Sequence, residues 1–362
     1  MFDDLRPRAR LPMLILGMLS LVAGVLGGLA RFAVEVPSAA AAQAGLHGAL
    51  MISAFFGTVI SLERAVALGR GWAYGAPLAC GVGGLAALLG LPLWFVQTAF
   101  VGGSALLILA SLRVVQRQIA LFTVMLAIAA LCWLIGNLAW LASGNINAAV
   151  SWWLAFLVLT IAGERLELTR FLPARPAAPP LFIGVTAVIL AGATITVRFE
   201  AAGLAIFAAG LLALSLWLLR YDIARHNARQ RGLAQFIAIC LLSGYAWLAI
   251  GAALGLLGGF VPGHALRDAA LHAIALGFVF AMVFGHAPII FPAVMRVKIP
   301  YHPVFYLPLL ALHGSLALRM AGTLAESFPL RQHGALANAV ALLLFIVTMV
   351  ASVVRGRGRA GR

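Results

Sequence analysis

Twelve apolar runs, each long enough to cross a lipid bilayer, follow one another along this 362-residue chain and constrain its fold more than any other feature. An α-helix needs about 20 mainly apolar residues to cross the hydrocarbon core. The sequence therefore predicts an all-α polytopic membrane protein, with residues 1–362 forming a single integral membrane domain of twelve transmembrane helices. The runs lie near residues 12–32, 45–68, 74–92, 94–113, 119–141, 149–169, 180–198, 201–220, 233–257, 268–292, 303–323 and 333–354.

The basic residues between these runs predict the orientation of the chain. With twelve spans, the loops on the side of both termini contain 20 of the 25 Lys and Arg residues. Cytoplasmic loops carry an excess of Lys and Arg, so both termini are expected in the cytoplasm. The net charge of +15 does not indicate a nucleic-acid partner, because the basic residues are spread over many short loops. The expected partner is the lipid bilayer, and no protein partner is indicated.

Several common kinds of site have no counterpart in the sequence. Cys80, Cys132 and Cys240 all fall inside apolar runs, where we expect them to be buried core residues. There is no CxxCH motif for covalent haem, and no phosphate-binding loop, HExxH motif or Ser-His-Asp arrangement. No recognisable catalytic centre is therefore predicted.

A short internal repeat links helices 2 and 6. "TVISLERAVALGR" ends helix 2 with Glu63-Arg64, and "LTIAGERLELTR" ends helix 6 with Glu164-Arg165. Helix 10 ends with "FGHAPIIFPAVMR", in which His286 replaces the acid. This four-helix spacing predicts three pseudo-symmetric four-helix arcs, with equivalent helices near 45–68, 149–169 and 268–292. The alternatives are coincidence, or a Glu that neutralises its neighbouring Arg at the membrane boundary.

The polar groups of these three helices form a predicted inner layer near the cytoplasmic face. Glu63, Glu164 and His286 are candidates to bind copper or another metal, to bind a quinol-like ligand, or to relay protons. The alternative is a structural layer of ion pairs that involves Arg64 and Arg165. The prolines that follow His286 predict a distortion of helix 10 there.

Histidines at the outer ends of the helices form a predicted outer layer. His47 begins helix 2 and His272 begins helix 10, each among small residues that permit close approach of a flat macrocycle. Two facing neutral imidazoles can hold a b-type haem. His313, in the middle of helix 11, and His333, at the start of helix 12, are further candidate cofactor ligands. The alternative is a pair of histidines that face lipid headgroups.

Two helices resemble those of a known family. "LHGALMISAFFGTVI" and "LHAIALGFVFAMVFGHAPIIFP" resemble the His-led, Gly-containing helices of the NnrS family of twelve-helix bacterial membrane proteins. The layout is also similar to subunit I of haem–copper oxidases, in which histidines of helices 2 and 10 hold the low-spin haem. The resemblance implies a bacterial inner membrane protein that binds haem or copper in nitric oxide or redox stress. It implies His47 and His272 as axial ligands and a small gas or quinol as ligand.

The departures from the oxidase pattern limit this expectation. Helix 6 has "SWWLAFLVLTIAGER" without a His-Tyr pair, and helix 7 has no His-His pair. Oxidase or reductase activity is therefore not expected. Two other functions stay open, namely a haem-free transporter or channel that uses buried Glu and His, and a membrane sensor or assembly factor. Twelve helices with internal repeats are typical of transporters, although transporter repeats are usually two-fold.

Overall fold

The computed structural model describes residues 4–173 and 175–358, and every regular element within them is helical. Arg359 and Arg362, which contribute to the predicted cytoplasmic charge, lie outside the described residues. Twelve long helical segments, numbered α1 to α12 here, follow the predicted spans in order. Their bounds are Pro7–Ala30, Ala44–Leu68, Gly75–Leu88, Leu93–Arg117, Leu121–Ser143, Asn147–Phe171, Ala178–Ile195, Glu200–Tyr221, Leu233–Gly259, Arg267–Met295, Pro303–Leu324 and Phe328–Gly356.

Eleven of these described helices are long and apolar enough to cross a membrane. The exception is α3, which has 14 residues and is preceded by a 3-10 turn over Gly71–Tyr74. At 1.5 Å per residue, α3 is about 21 Å long, and the 3-10 turn that runs directly into it adds about 8 Å, which brings the helical run close to the roughly 30 Å of a bilayer core. The class of polytopic helical membrane protein is confirmed. The twelfth crossing and the three-arc symmetry remain predictions.

Helix ends differ from the predicted bounds where local signals extend the helix. α1 begins five residues earlier than predicted, because Pro7 occupies its first turn, where a missing N–H costs no hydrogen bond. α12 also begins five residues early. There the Ser327 carbonyl accepts from Arg331, and the Ser327 hydroxyl lies 3.5 Å from the amide nitrogen of Leu330. As a result His333 lies in the second turn of α12 and not at its start.

The described chain divides into two compact units. The first comprises the residues up to Thr160 together with Ala293–Arg296, and the second comprises Ile161–Pro292 and the residues from Val297 onward. The sequence predicts a single domain. Two helices, α6 and α10, contribute residues to both units.

The first unit has a polar centre within an aromatic core. The buried Asn137 side chain on α5 accepts hydrogen bonds from the Ser53 hydroxyl and the Trp153 indole, both at 2.9 Å. Its amide nitrogen donates to the Phe100 carbonyl at 3.1 Å and to the Ser104 hydroxyl at 3.2 Å. These partners lie on α2, α6 and α4. One amide therefore ties four helices together with all of its hydrogen-bonding capacity used.

The second unit packs α7 against α8, α9 against α8 and α10, and α11 against α12. Its core includes Phe182, which stands edge-on to Trp217 with ring centroids 4.7 Å apart. The Trp217 indole donates to the Ala178 carbonyl at 2.9 Å, so its polar atom is satisfied within the apolar interior. The cysteines of both units are free thiols buried in the helix packing, as predicted: Cys80, Cys132 and Cys240.

Three of the described helices contain π-helical segments, namely Leu50–Phe56 in α2, Gly255–Gly259 in α9 and Ala273–Phe280 in α10. In such a segment the backbone hydrogen bonds close one residue further along the chain than in an α-helix. The predicted distortion at Pro288 and Pro292 takes a different form, since α10 continues through both prolines to Met295. Each proline removes one backbone hydrogen bond without ending the helix, and the main irregularity of α10 lies upstream of His286.

Candidate functional site

His47 lies where the chain enters α2. A 3-10 turn over Ala44–Leu46 precedes it, and the π-helical segment begins three residues after it. Its Nδ1 lies 2.6 Å from the carbonyl oxygen of Gly24 on α1. Gly28, one turn further along α1, allows this approach, because a Cβ there would come within 2.9 Å of the imidazole. The sequence thus brings a half-buried imidazole against the backbone of the neighbouring helix.

His272 lies in the second turn of α10, just before the π-helical segment of that helix. Its Nδ1 lies 2.8 Å from the backbone carbonyl oxygen of Asp268, and its Nε2 lies 3.3 Å from a terminal nitrogen of Arg319. Arg319 of α11 forms a two-pronged ion pair with Asp268, with N–O distances of 2.8 and 2.6 Å. His272 therefore belongs to a partly buried cluster that contains one carboxylate and one guanidinium.

The two imidazoles share a tautomer. A carbonyl oxygen can only accept, so Nδ1 of His47 and Nδ1 of His272 both carry the hydrogen. In that tautomer the lone pair lies on Nε2, the nitrogen through which a neutral imidazole binds a metal. Histidine ligands of metals usually donate their other ring N–H to a carbonyl or carboxylate, and both residues do so.

The fit to haem is better at His47 than at His272. At His47, the space beside Gly28 is filled by the imidazole, whereas a Cβ at the nearby Gly45 would meet nothing within 4 Å, so this side of the ring is open. At His272, the Arg319 guanidinium lies against the nitrogen that would bind iron. His272 therefore fits as a ligand less well than His47, because its Nε2 already faces a hydrogen-bond donor that is held in place by Asp268. The two histidines lie in different units of the chain.

A second cluster of polar side chains lies around His286, about four helical turns beyond His272 on α10. Arg165 of α6 forms a buried ion pair with Asp222, which follows α8, at 2.8 Å. Nε2 of His286 lies 3.4 Å from Arg165, and its Nδ1 donates to the Met282 carbonyl at 2.8 Å. The hydroxyl of the fully buried Tyr245 has no hydrogen-bond partner among the described residues, and its charged neighbours are Asp222 and Arg165.

The ion pair found in the predicted inner layer differs from the Glu-Arg pairs that the sequence indicates. The sequence places Arg64 and Arg165 beside Glu63 and Glu164, but adjacent residues on a helix point about 100° apart and do not face each other. For Arg165 the ion-pair partner is Asp222, 57 positions later in the chain. Glu63 and Glu164 are each half-buried. Within the described residues, no group of three or more His, Cys, Asp or Glu side chains is placed to hold a metal ion.

The two remaining candidate ligands have other surroundings. His313 accepts from the Trp247 indole at Nδ1, at 2.9 Å, and its Nε2 contacts the Ser243 hydroxyl, also at 2.9 Å. Both of its ring nitrogens are engaged with protein, as are those of His272, but the family resemblance that implies His272 as a ligand does not extend to His313. The His333 side chain is exposed on α12.

Sequence reasoning missed four polar residues of these clusters. Asp268 and Arg319 of the outer cluster could have been found, because both lie within predicted spans, where charged residues are rare and usually paired. Asp268 also precedes His272 by one helical turn. Asp222 and Tyr245 of the inner cluster carried no such signal, because one lies in a basic loop and the other is a single hydroxyl in an apolar run.

Residues 10–354 match the family described as a domain of unknown function, DUF8744, and the chain belongs to that family. The match extends from the first helix to the last. No curated protein matches the chain.

Proposed function

We propose that this member of the DUF8744 family is a haem-binding membrane protein of NnrS type, with His47 and His272 as the axial ligands of a b-type haem. The observation that supports this most is the shared tautomer of the two imidazoles. Each Nδ1–H is held by a backbone carbonyl, which places the lone pair of each ring on Nε2, although Nε2 of His272 also faces Arg319. When bound, haem would supply one-electron redox chemistry.

The chain's own residues have defined tasks in this proposal. The Gly24 carbonyl orients the His47 ring, and the Asp268 carbonyl orients the His272 ring. Asp268 holds the Arg319 guanidinium beside His272, which gives this side of the site a positive group near the ligating nitrogen. The resemblance to NnrS proteins adds the proposed setting, a bacterial inner membrane under nitric oxide or redox stress.

An optical spectrum tests this function. Protein purified from haem-replete cells should show a Soret band with bound haem, and His47→Ala or His272→Ala should abolish it. His226→Ala, which removes an exposed imidazole from the loop after α8, is the matched control and should leave the band unchanged. A colourless wild-type protein, or a band that survives both axial substitutions, would contradict the proposal.

A haem-free transporter or channel is a second candidate, and the inner cluster favours it. Arg165 and Asp222 are buried beside the half-buried His286, and Tyr245 adds a buried hydroxyl without a partner in the described part of the chain. Buried charged groups in spans often mark paths for ions or protons. The half-buried Glu63 and Glu164 are the further groups that the sequence assigns to this layer.

Flux in proteoliposomes tests the second candidate. Reconstituted protein should dissipate an imposed pH gradient, reported by an enclosed pH-sensitive dye. Glu63→Gln, Glu164→Gln or His286→Gln should slow the dissipation about tenfold or more. Glu35→Gln removes an exposed carboxylate between α1 and α2 and should have no effect. Vesicles that remain as tight as protein-free vesicles would exclude proton transport. Metal analysis of the same samples reports whether copper or another metal is bound.

A further inference from the structure

A basic cavity opens at the surface of the first unit, away from the histidines. Its volume is about 640 Å³. Arg70, Arg113 and Arg117 line it, together with Gln116. The chain reaches this place through Gly69, whose φ of +65° ends α2 in a left-handed turn and sends Arg70 toward the end of α4. Three guanidinium groups therefore meet where two helices end.

These arginines differ from the buried ones in having no carboxylate partner. Among the described residues, none of the three forms an ion pair, and Arg113 donates to the side-chain oxygen of Gln116 at 3.4 Å. Arg113 and Arg117 are exposed, and Arg70 is half-buried. A cavity with three positive charges and no compensating acid is electrostatically matched to a multiply hydrogen-bonding anion such as a phosphate group.

The other residues that line the cavity are apolar, and along α4 its lining changes from the apolar Leu109 to the basic Arg113 and Arg117. Leu109 lies eight residues before Arg117, about 12 Å toward the middle of the helix, and its side chain is 53% exposed. Leu68 and Trp72 line the same cavity. Tryptophan is enriched at the level of lipid headgroups. A soluble anion would use the arginines alone, whereas a phospholipid would also cover the exposed leucine.

We propose that this cavity binds the headgroup of an anionic phospholipid, with its phosphate on Arg70, Arg113 and Arg117 and its acyl chains along Leu109. The charge distribution of the sequence assigns these arginines to the cytoplasmic side, where anionic lipids give the membrane surface a negative potential. Basic cavities at the ends of membrane helices on that side are a recurrent kind of lipid site. The proposal is independent of haem and of the inner cluster.

Native mass spectrometry of the full-length protein in detergent tests this site. The wild type is incubated with phosphatidylglycerol or with phosphatidylcholine, and the bound lipid is counted. We expect a preference for phosphatidylglycerol. The triple variant Arg70→Gln, Arg113→Gln, Arg117→Gln should bind this lipid at least about tenfold more weakly, since each arginine near the surface contributes to the attraction. Arg225→Gln, Arg229→Gln, Arg231→Gln removes three exposed loop charges and should bind it as the wild type does.

The remaining outcomes overturn the proposal. Equal affinity for the two lipids, or an equal loss in both triple variants, would show a general surface effect in place of a site. A third arm adds millimolar inorganic phosphate. Displacement of the lipid at that concentration would assign the cavity to a soluble anion. Leu109→Gln separates the two ligands further, because it removes an apolar contact for the acyl chains without adding charge, so it should weaken lipid binding and leave any phosphate binding unchanged.

Discussion

At the scale of single residues, the first unit depends on one amide. Asn137 holds partners on three other helices, and it does so in an interior otherwise filled by tryptophan and phenylalanine rings. Trp133 stacks on Phe156 beside it, with ring centroids 4.9 Å apart. The apolar rings fill space, while the amide requires particular partners. The hydrogen bonds of Asn137 therefore select the register of α2, α4 and α6 on α5.

Asn137→Leu tests this role. The substitution leaves the Trp153 indole and the Ser53 hydroxyl without their acceptor, and a buried unsatisfied group costs about 1–3 kcal/mol. We expect a loss of about 3 kcal/mol in the free energy of unfolding, measured by thermal or denaturant unfolding in detergent with tryptophan fluorescence. Gln230→Ala, which removes an exposed amide, should change it by less than about 0.5 kcal/mol. A neutral Asn137→Leu would show that packing alone sets the register.

The buried pair of Arg165 and Asp222 predicts a different pattern. Arg165→Met leaves the Asp222 carboxylate buried without its cation, which costs about 3–5 kcal/mol. Adding Asp222→Asn removes the charge and keeps an acceptor for the Ala224 amide, so we expect most of the stability to return. Unfolding of the two single variants and the double variant measures the coupling. Additive losses would contradict a direct pair.

The residues of these clusters show what sequence can and cannot predict. His47, His272 and His286 stand out because imidazoles are unusual in apolar runs, and the structure gives each a defined hydrogen bond. Their partners are harder to predict, since they depend on which helices pack together. Asp222 is 57 positions from Arg165, and Arg319 is 51 from Asp268. No periodicity within one helix reports such pairs.

At the scale of the elements, the π-helical segment of α10 lies between His272 and His286. Ala273–Phe280 begins directly after His272 and ends six residues before His286. An α-helix of the same length would rotate the second half of α10 relative to the first. The segment therefore allows His272 to face Arg319 while His286 faces Arg165. A similar π-helical segment follows His47 in α2, so α2 and α10 share a local feature that is not part of the short sequence repeat.

Deletions in α10 test this interpretation. Removing Ala275 from the π-helical segment allows it to relax toward an α-helix while the residues on either side keep their faces. Removing Val283, which is similarly half-buried but lies in the α-helical part, rotates His286 by about 100° away from Arg165. We expect the first deletion to yield folded protein by size-exclusion chromatography and the second to aggregate. Aggregation of the Ala275 deletion together with a folded Val283 deletion would contradict this role of the π-helical segment.

The bounds of the helices were predictable to within about five residues, because apolar length dominates them. Errors arose at α1 and α12, where a proline or a serine begins the helix before the apolar run does. The amino-acid composition of the π-helical segments does not distinguish them from the α-helical parts of the same spans. Their extra residue becomes visible only when the two ends of the helix have fixed neighbours.

At the scale of the whole molecule, the orientation of the loops is the prediction most open to test. The cysteines are buried, so an introduced cysteine can be labelled selectively with a membrane-impermeant maleimide. Val197 follows α7 and is 84% exposed, and Ile119 follows α4 and is 85% exposed. In intact cells we expect Val197→Cys to be labelled and Ile119→Cys to be protected until the membrane is permeabilised.

The same measurement at Leu91 tests whether α3 crosses. Leu91 follows α3 and is 45% exposed. If α3 spans, Leu91→Cys should react from outside, as Val197→Cys does. Labelling of Leu91→Cys only after permeabilisation would mean that α3 returns to the side from which it came. The chain would then have eleven crossings, with its termini on opposite sides.

The shortness of α3 has a consequence for the surrounding lipid. Its outward side chains are apolar, with Leu78 51% and Val82 38% exposed, and even with the 3-10 turn before it the helical run only just reaches the roughly 30 Å of an ordinary bilayer core. If α3 crosses the membrane, it has no spare length, and a thicker bilayer must compress beside it at a cost of a fraction of a kcal/mol for each ångström of mismatch. Short acyl chains relieve that compression. The protein should accordingly partition into thin membrane regions, and a thicker bilayer should be locally thinned beside α3.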